Sequence, residues 1–182
     1  MAPKNPDPQL SVLVPCCNEA DCVQPFLDEI YPTLEGVKLT WEILFIDDGS
    51  TDNTVETIDQ AHQRDSRIRG VAFSRNFGKE AAITCGLHYS EGNAVIIMDA
   101  DLQHPPKIIG EMVRLWQEEG YDMVVPLNQT RSDENIVKRH LTRLYYRLLS
   151  LISTVPIPCG ASDFRLLDRK VVEAIKKLPR RG

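Results

Sequence analysis

The 182-residue chain has no apolar run of the roughly eighteen residues that a membrane-spanning helix needs. Its longest candidate, residues 144–158, is broken by Arg147 and Pro156. No Gly-x-Gly-x-x-Gly follows the first expected strand; Pro15-Cys16-Cys17-Asn18-Glu19 stands there instead, which argues against a dinucleotide fold. Gly78-Lys79 lacks both the upstream glycine loop and the Ser/Thr of a phosphate-binding P-loop. Five cysteines, an odd number, show no zinc spacing, and the cluster Cys16, Cys17, Cys22 has no answering Cys or His pair. Reduced, mostly buried thiols in a cytosolic compartment are therefore expected in place of a metal or disulfide framework. The four histidines are isolated, and His104, alone near the acidic loop described below, reads as a loop-packing or donor residue. No secretory signal opens the chain, so the sequon Asn128-Gln129-Thr130 is taken as chance.

What is present fits one domain. The hydrophobic fraction of 42% and charged fraction of 26% are ordinary for a globular protein with a sizeable core. Polar, proline-rich residues 1–9 read as a loose tail and residues 10–182 as the domain. The net charge of −5 hides an asymmetry: residues 1–127 hold nine Lys/Arg against twenty-one Asp/Glu, whereas residues 128–182 hold twelve against five. A basic last third implies an anionic partner. No zinc finger or aromatic-basic platform points to nucleic acid. Basic residues alternating with Leu, Ile and Tyr over 136–152 suit a membrane surface, or equally a solvated amphipathic helix packed on the domain.

Apolar runs alternate with helical patterns. Strands are expected at 10–14, 41–46, 68–73, 94–98 and 122–125, and helices at 21–34 (interrupted near its start by Pro25), 53–62, 79–89 and 106–118. A long helix over 135–153 and a final one over 169–177 follow. Such alternation implies βαβ units and a mostly parallel α/β sheet flanked by helices.

Two strand ends carry the chemistry. The run Ala94–Met98 ends in Asp99-Ala100-Asp101, and alternate residues of an extended strand end point the same way. With no basic neighbour in the local sequence, the two carboxylates repel unless a cation sits between them. Hard oxygen ligands suit Mg²⁺ or Mn²⁺, and Mg²⁺ commonly adds substrate phosphates to one or two carboxylates. Taken alone, the pair is also compatible with a capped turn bearing solvated acids. A second run, Trp41–Ile46, ends in Asp47-Asp48-Gly49-Ser50-Thr51-Asp52. Ligands of open α/β sheets sit beyond the carboxyl ends of strands, so two acidic ends indicate one polar, metal-assisted site. A phosphatase with an Asp-x-Asp nucleophile would carry it after the first strand, not the fourth.

Val14-Pro15-x-x-Asn18-Glu19, Asp47 to Asp52, Arg75-Asn76-Phe77-Gly78-Lys79 and Asp99-Ala100-Asp101-Leu102-Gln103-His104-Pro105-Pro106 occur in the order of the family 2 glycosyltransferases. Ser162-Asp163-Phe164-Arg165-Leu166-Leu167-Asp168-Arg169 narrows the resemblance to polyprenyl-phosphate glycosyltransferases, the bactoprenol glucosyltransferases and, more distantly, the dolichol-phosphate mannose synthases. It covers residues 9–180, and five motifs in register are specific where each alone is loose.

The resemblance implies a GT-A fold and inverting, metal-dependent transfer of a sugar from a nucleotide diphosphate (UDP-glucose or similar) to a polyprenyl phosphate at the cytoplasmic membrane face. It places Pro15, Cys17, Glu19, Ile46 and Asp48 around the nucleoside, with Asp48 accepting from the base. Asp99 and Ala100 lie along ribose and diphosphate, Arg131 meets phosphate, and Asp99, Asp101 and Gln103 hold Mg²⁺ or Mn²⁺. Asp163 and Arg165 are its catalytic, acceptor-side pair. Relatives usually carry an aromatic residue where Cys17 stands, and many carry arginine where Asn128 stands, which leaves Arg131 more of the phosphate charge. They also continue past the position of Gly182 into an amphipathic region and transmembrane helices, so a catalytic portion of a longer chain is expected. Two other readings stay open: a family 2 transferase with a hydroxyl acceptor, and a nucleotide-sugar-binding module without turnover. Neither Trp41 nor Trp116 lies in the Gln-x-x-Arg-Trp motif of polysaccharide synthases. Self-association is left open.

Overall fold

Seven consecutive residues, Leu10–Cys16, are all buried, as expected of a strand covered on both faces. In the computed structural model, which describes residues 7–126 and 163–177, this strand (β1) lies inside a six-stranded sheet. β2 (Trp41–Asp47) is buried throughout as well, and β3 (Ile68–Ala72), β4 (Ala94–Ile97), β5 (Met123–Val124) and β6 (Arg165–Asp168) complete the order β3-β2-β1-β4-β6-β5. β1 pairs in parallel with β2 and β4, and β2 with β3; β6 runs antiparallel between β4 and β5. The sheet is therefore mostly parallel, as expected, but β6 is a strand that the sequence pattern had not shown.

Side-chain alternation divides the core. Leu10, Val12, Val14, Ile43, Phe45 and Ile96 face α1 (Ala20–Gly36), α2 (Thr54–Arg64) and α4 (Ile108–Glu119). Leu13, Leu44, Ile46, Val95, Ile97 and Leu167 face α3 (Lys79–Tyr89) and α5 (Arg169–Lys176). α1 runs unbroken through Pro25 and Pro32, against the expected interruption. Val23, Phe26, Leu27, Ile30 and Leu34 bury one face of it, and that burial holds the helix despite the missing amide donors.

Polar contacts lock the amino-terminal ends of the strands. Buried Ser11 donates to Glu42 at 2.6 Å and accepts from the Gly92 amide at 2.8 Å, while Arg69 bonds the other Glu42 oxygen at 2.6 Å. Gln9, the last residue of the expected tail, donates its amide to the Thr40 carbonyl at 2.7 Å. Trp116 donates to Asp168 at 2.7 Å, and Asp168 also caps α5 by accepting from the Lys170 amide at 2.9 Å, which fixes β6 from both sides.

α3 approaches the sheet closely because Gly86 has no side chain. A Cβ there would lie 1.8 Å from Leu13 Cδ1 and 3.1 Å from Ile46 Cγ1. Gly86→Ala is expected to destabilise the chain by about 1–3 kcal/mol through overpacking, net of the gain in helix propensity. Urea denaturation should show this loss, and the added cost of Gly86→Ala should be smaller in a Leu13→Ala background, which is itself destabilised by the cavity.

Candidate active site

The chain reverses its direction of travel across the sheet between β1 and β4: β2 and β3 build outward on one side, β4 and β6 on the other. In open α/β sheets the crevice beyond the strand ends at such a reversal is where ligands bind. Here it is a cleft of ≈ 360 Å³, within the range of small-molecule sites. Pro15 near the end of β1, Cys17 and Glu19 after it, Asp48 after β2, Lys79 at the start of α3, and Asp99 and Asp101 after β4 line it.

The β1 and β2 ends are bound into one platform. Asn18, in a left-handed conformation at φ 56°, donates its amide to Ser50 Oγ and accepts from the Thr51 amide, both at 2.8 Å. Asp52 accepts from the Ala20 amide at 3.2 Å and from the Thr54 amide at 3.0 Å. Asp47 accepts from the Ser50 amide at 3.0 Å, so it serves the turn and not the cleft. Gly49, at φ +73°, is required twice: its conformation suits glycine, and a Cβ would lie 2.3 Å from the Arg75 backbone. Buried Asp48 accepts from the Phe77 amide at 2.7 Å and the Gly78 amide at 2.8 Å, which brings the loop before α3 to the cleft edge. Each of its oxygens keeps a second lone pair for a ligand.

After β4 the acid loop turns at Leu102, also left-handed at φ 56°, and Asp101 accepts from the Gln103 amide at 3.1 Å. His104 stacks on buried Phe164 with centroids 5.1 Å apart, joining this loop to the β6 segment; packing is its visible role, as the sequence suggested. The basic neighbour that local sequence did not reveal is Lys79. Its ammonium lies 2.7 Å from Asp99 Oδ1, 2.9 Å from Asp99 Oδ2 and 2.8 Å from Asp163 Oδ2. Arg165 meets the other Asp163 oxygen at 3.2 Å. Lys79 chiefly, with Arg165 adding, holds the Asp163 carboxyl below its ordinary range. Partial burial pulls the Lys79 ammonium down, but its bonds to Asp163 and Asp99 outweigh this and leave it above its ordinary value.

Negative charge remains in excess. Glu19 has one buried carboxylate oxygen without a hydrogen-bond partner, and burial, then Asp101 and Asp99, raise its pKa. Among the described residues no three His, Cys, Asp or Glu side chains stand close enough to chelate an ion unaided. The donor set nevertheless fits a hard divalent ion that completes its shell with substrate oxygens: carboxylates on a cleft, an orphaned acidic oxygen and too little positive charge.

Residues 11–176 match the description of glycosyl transferase family 2. The chain belongs to that family. An uncharacterised glycosyltransferase of Synechocystis sp. is 42% identical over 95% of this chain and 54% of its own length. A bactoprenol glucosyl transferase of Shigella phage SfV is 39% identical over 96% of this chain and 56% of its own. The chain thus spans about half the length of the curated relatives it matches. Among solved structures, the mannosyltransferase of Pyrobaculum calidifontis in complex with GDP-Man and Mn²⁺ is similar at a TM-score of 0.63 and 22% identity, over 96% of this chain and 48% of that one. This likeness shows the fold, which is GT-A as expected.

Of the residues that the family 2 pattern singles out, Pro15, Cys17, Glu19, Asp48, Asp99 and Asp101 meet at the cleft. Asp163 joins them through Lys79. Ile46 does not join them: its side chain is fully buried in the core cluster that holds Leu13 and Leu44. Ala100 is buried in the opposite core cluster, and Gln103 is exposed beside Asp101. Arg131 and the helix expected over 135–153 lie outside the described residues. Lys79 was within the quoted Arg-Asn-Phe-Gly-Lys motif, but twenty residues separate it from Asp99.

Asp48→Ala should lower stability by about 1.5–3 kcal/mol, the scale of hydrogen bonds to a charged group, because two loop amides lose their acceptor. Asp48→Asn, which keeps one acceptor oxygen, should recover part of the loss in urea titrations. Glu19→Gln should act in the opposite direction. A carboxyl whose folded pKa is raised binds its proton more tightly in the folded chain, so its ionised form opposes folding above that pKa. The variant should melt at a higher temperature than the parent at pH 7, and calorimetry should show the gap closing as the pH falls through the carboxylate range.

Proposed function

We propose that this chain is the catalytic part of a metal-dependent, inverting glycosyltransferase that moves glucose from UDP-glucose to a polyprenyl phosphate at the cytoplasmic face of a membrane. The observation that carries this reading is the cleft at the chain reversal, where Glu19, Asp48, Asp99 and Asp101 face one opening. The glucosyl and lipid-acceptor parts draw support from the phage relative, which is named a bactoprenol glucosyl transferase.

On this reading the nucleoside lies against Pro15, Cys17 and Glu19, with the free lone pairs of Asp48 toward the base. Asp99 and Asp101, with Gln103, would hold Mg²⁺ or Mn²⁺, which when bound supplies charge neutralisation at the departing diphosphate. Arg131 would add a second positive contact to phosphate. The acceptor is a phosphate monoester whose second pKa is about 6, so at neutral pH it is largely a dianion and needs little help from a base. Asp163 is held ionised by Lys79 and Arg165, which makes it a weak proton acceptor and suits it to orienting those cations toward the acceptor. Lys138, Arg139, Arg143 and Arg147 in the basic last third would face anionic lipid. No helix among the described residues is long and apolar enough to cross a membrane.

Labelled UDP-glucose incubated with a short polyprenyl phosphate and Mn²⁺ or Mg²⁺ should give an organic-extractable glucolipid, and chelation should abolish it. Asp101→Asn should lower the rate by about 100-fold or more, the scale on which removing an electrostatic partner of the transition state acts. Donor binding without product, across UDP- and GDP-sugars and with the polyprenyl acceptor present, would overturn the transferase reading in favour of a binding module.

A further inference from the structure

Lys79 makes three short contacts that no local pattern required. Its ammonium touches both oxygens of Asp99, at 2.7 and 2.9 Å, and one oxygen of Asp163, at 2.8 Å. Asp99 follows β4 and Asp163 precedes β6, so the two carboxylates come from neighbouring strands of opposite direction. The backbone that carries Lys79 is anchored, because the amide of the preceding Gly78 donates to Asp48 at 2.8 Å. We propose that Lys79 is a built-in counter-ion that ties Asp99 to Asp163 until a divalent ion takes its place at Asp99. The proposal rests on the donor-site reading given above and adds a positioning residue to it.

The argument is one of exclusion. With both Asp99 oxygens engaged, an ion gains that carboxylate only after the ammonium leaves, since two cations on one carboxylate edge repel. An ion arriving alone displaces Lys79 and offers it nothing in return. An ion arriving with a nucleoside diphosphate brings new anionic oxygens within reach of a side chain whose base does not move. Bare ion binding should therefore be weak, and ion and nucleotide should strengthen each other's binding reciprocally. Asp163 sets how firmly Lys79 is shared: without its charge, Lys79 rests on Asp99 alone.

The test is Mn²⁺ affinity, read from the free-ion electron paramagnetic resonance signal, with and without UDP or GDP. Lys79→Met should bind Mn²⁺ alone about three- to tenfold more tightly than the parent, where tenfold corresponds to about 1.4 kcal/mol. The mutual strengthening by nucleotide should shrink by a similar factor. Lys79→Arg should keep the parent behaviour. Asp163→Asn should weaken binding of the bare ion, and this effect should largely vanish in the Lys79→Met background, a coupling that direct attraction between Asp163 and the ion would not produce. Lys79→Gln replaces the methionine variant if that one fails to fold. Bare-ion affinity that is unchanged or weaker in a folded neutral variant overturns the counter-ion role. A parent chain that binds no Mn²⁺ even with UDP and GDP overturns the donor-site reading and this proposal together.

Discussion

Glu19, Asp48, Asp99 and Asp101 arrive at one cleft from three different strand ends, and the strands that carry them are apolar and buried almost to their last residue. A parallel sheet covered on both faces has only its strand ends available for polar groups, so the reversal between β1 and β4 gathers them. The core cannot relax to separate these acids. Leu13 is packed under α3 and Val12 and Val14 under the helices opposite, and the register of β1 with β2 and β4 sets how far apart the carboxylates stand. Like charge held together by a rigid core is thus the constraint around which the surrounding loops are organised.

The loops meet it in two ways. Asp47, Asp48 and Asp52 are given backbone amides: Ser50 for the first, Phe77 and Gly78 for the second, Ala20 and Thr54 for the third. Each bond also shapes a turn, so neutralising the acids and fixing the loops are one event. Asp99 and Asp163 instead receive Lys79 and Arg165. Glu19 retains an unpartnered oxygen and Asp101 accepts only from the Gln103 amide among the contacts seen here. The site therefore keeps an unbalanced negative corner beside balanced ones, which is where a cation bound with substrate would gain most.

Much of this was legible in the sequence because it is local. The runs that became β1, β2 and β4 are long or uniformly apolar, and their acids follow immediately, so strand, end and carboxylate are read in one pass. β6 was not legible: Arg165–Asp168 has only two apolar residues between charged ends and passes directly into α5. Its strand state comes from pairing with β4 and β5 and from Trp116 holding Asp168, none of which a four-residue window contains. The family resemblance assigned Ile46 to the nucleoside, yet its side chain is fully buried in the cluster that holds Leu13, Leu44 and Ala82. The helix through Pro25 and Pro32 shows the same tertiary override, since burial of five side chains outweighs the local preference.

Lys79 illustrates how packing far from the cleft decides what the cleft contains. α3 has little apolar bulk, with Ala82, Gly86 and Leu87 as its buried residues, so its axis can come down onto Leu13 and Ile46. A bulkier residue at 86 would lift the helix from the sheet. The amino-terminal end of α3 is carried with it, and Asp48 secures that end through Gly78. Only at this depth does the four-carbon stem of Lys79 reach Asp99 and Asp163 together, side chains twenty and eighty-four residues away in the chain. The stripe of small residues on α3 therefore has an electrostatic consequence. By setting the height of one helix over the sheet, it decides whether the acids after β4 and before β6 share a cation.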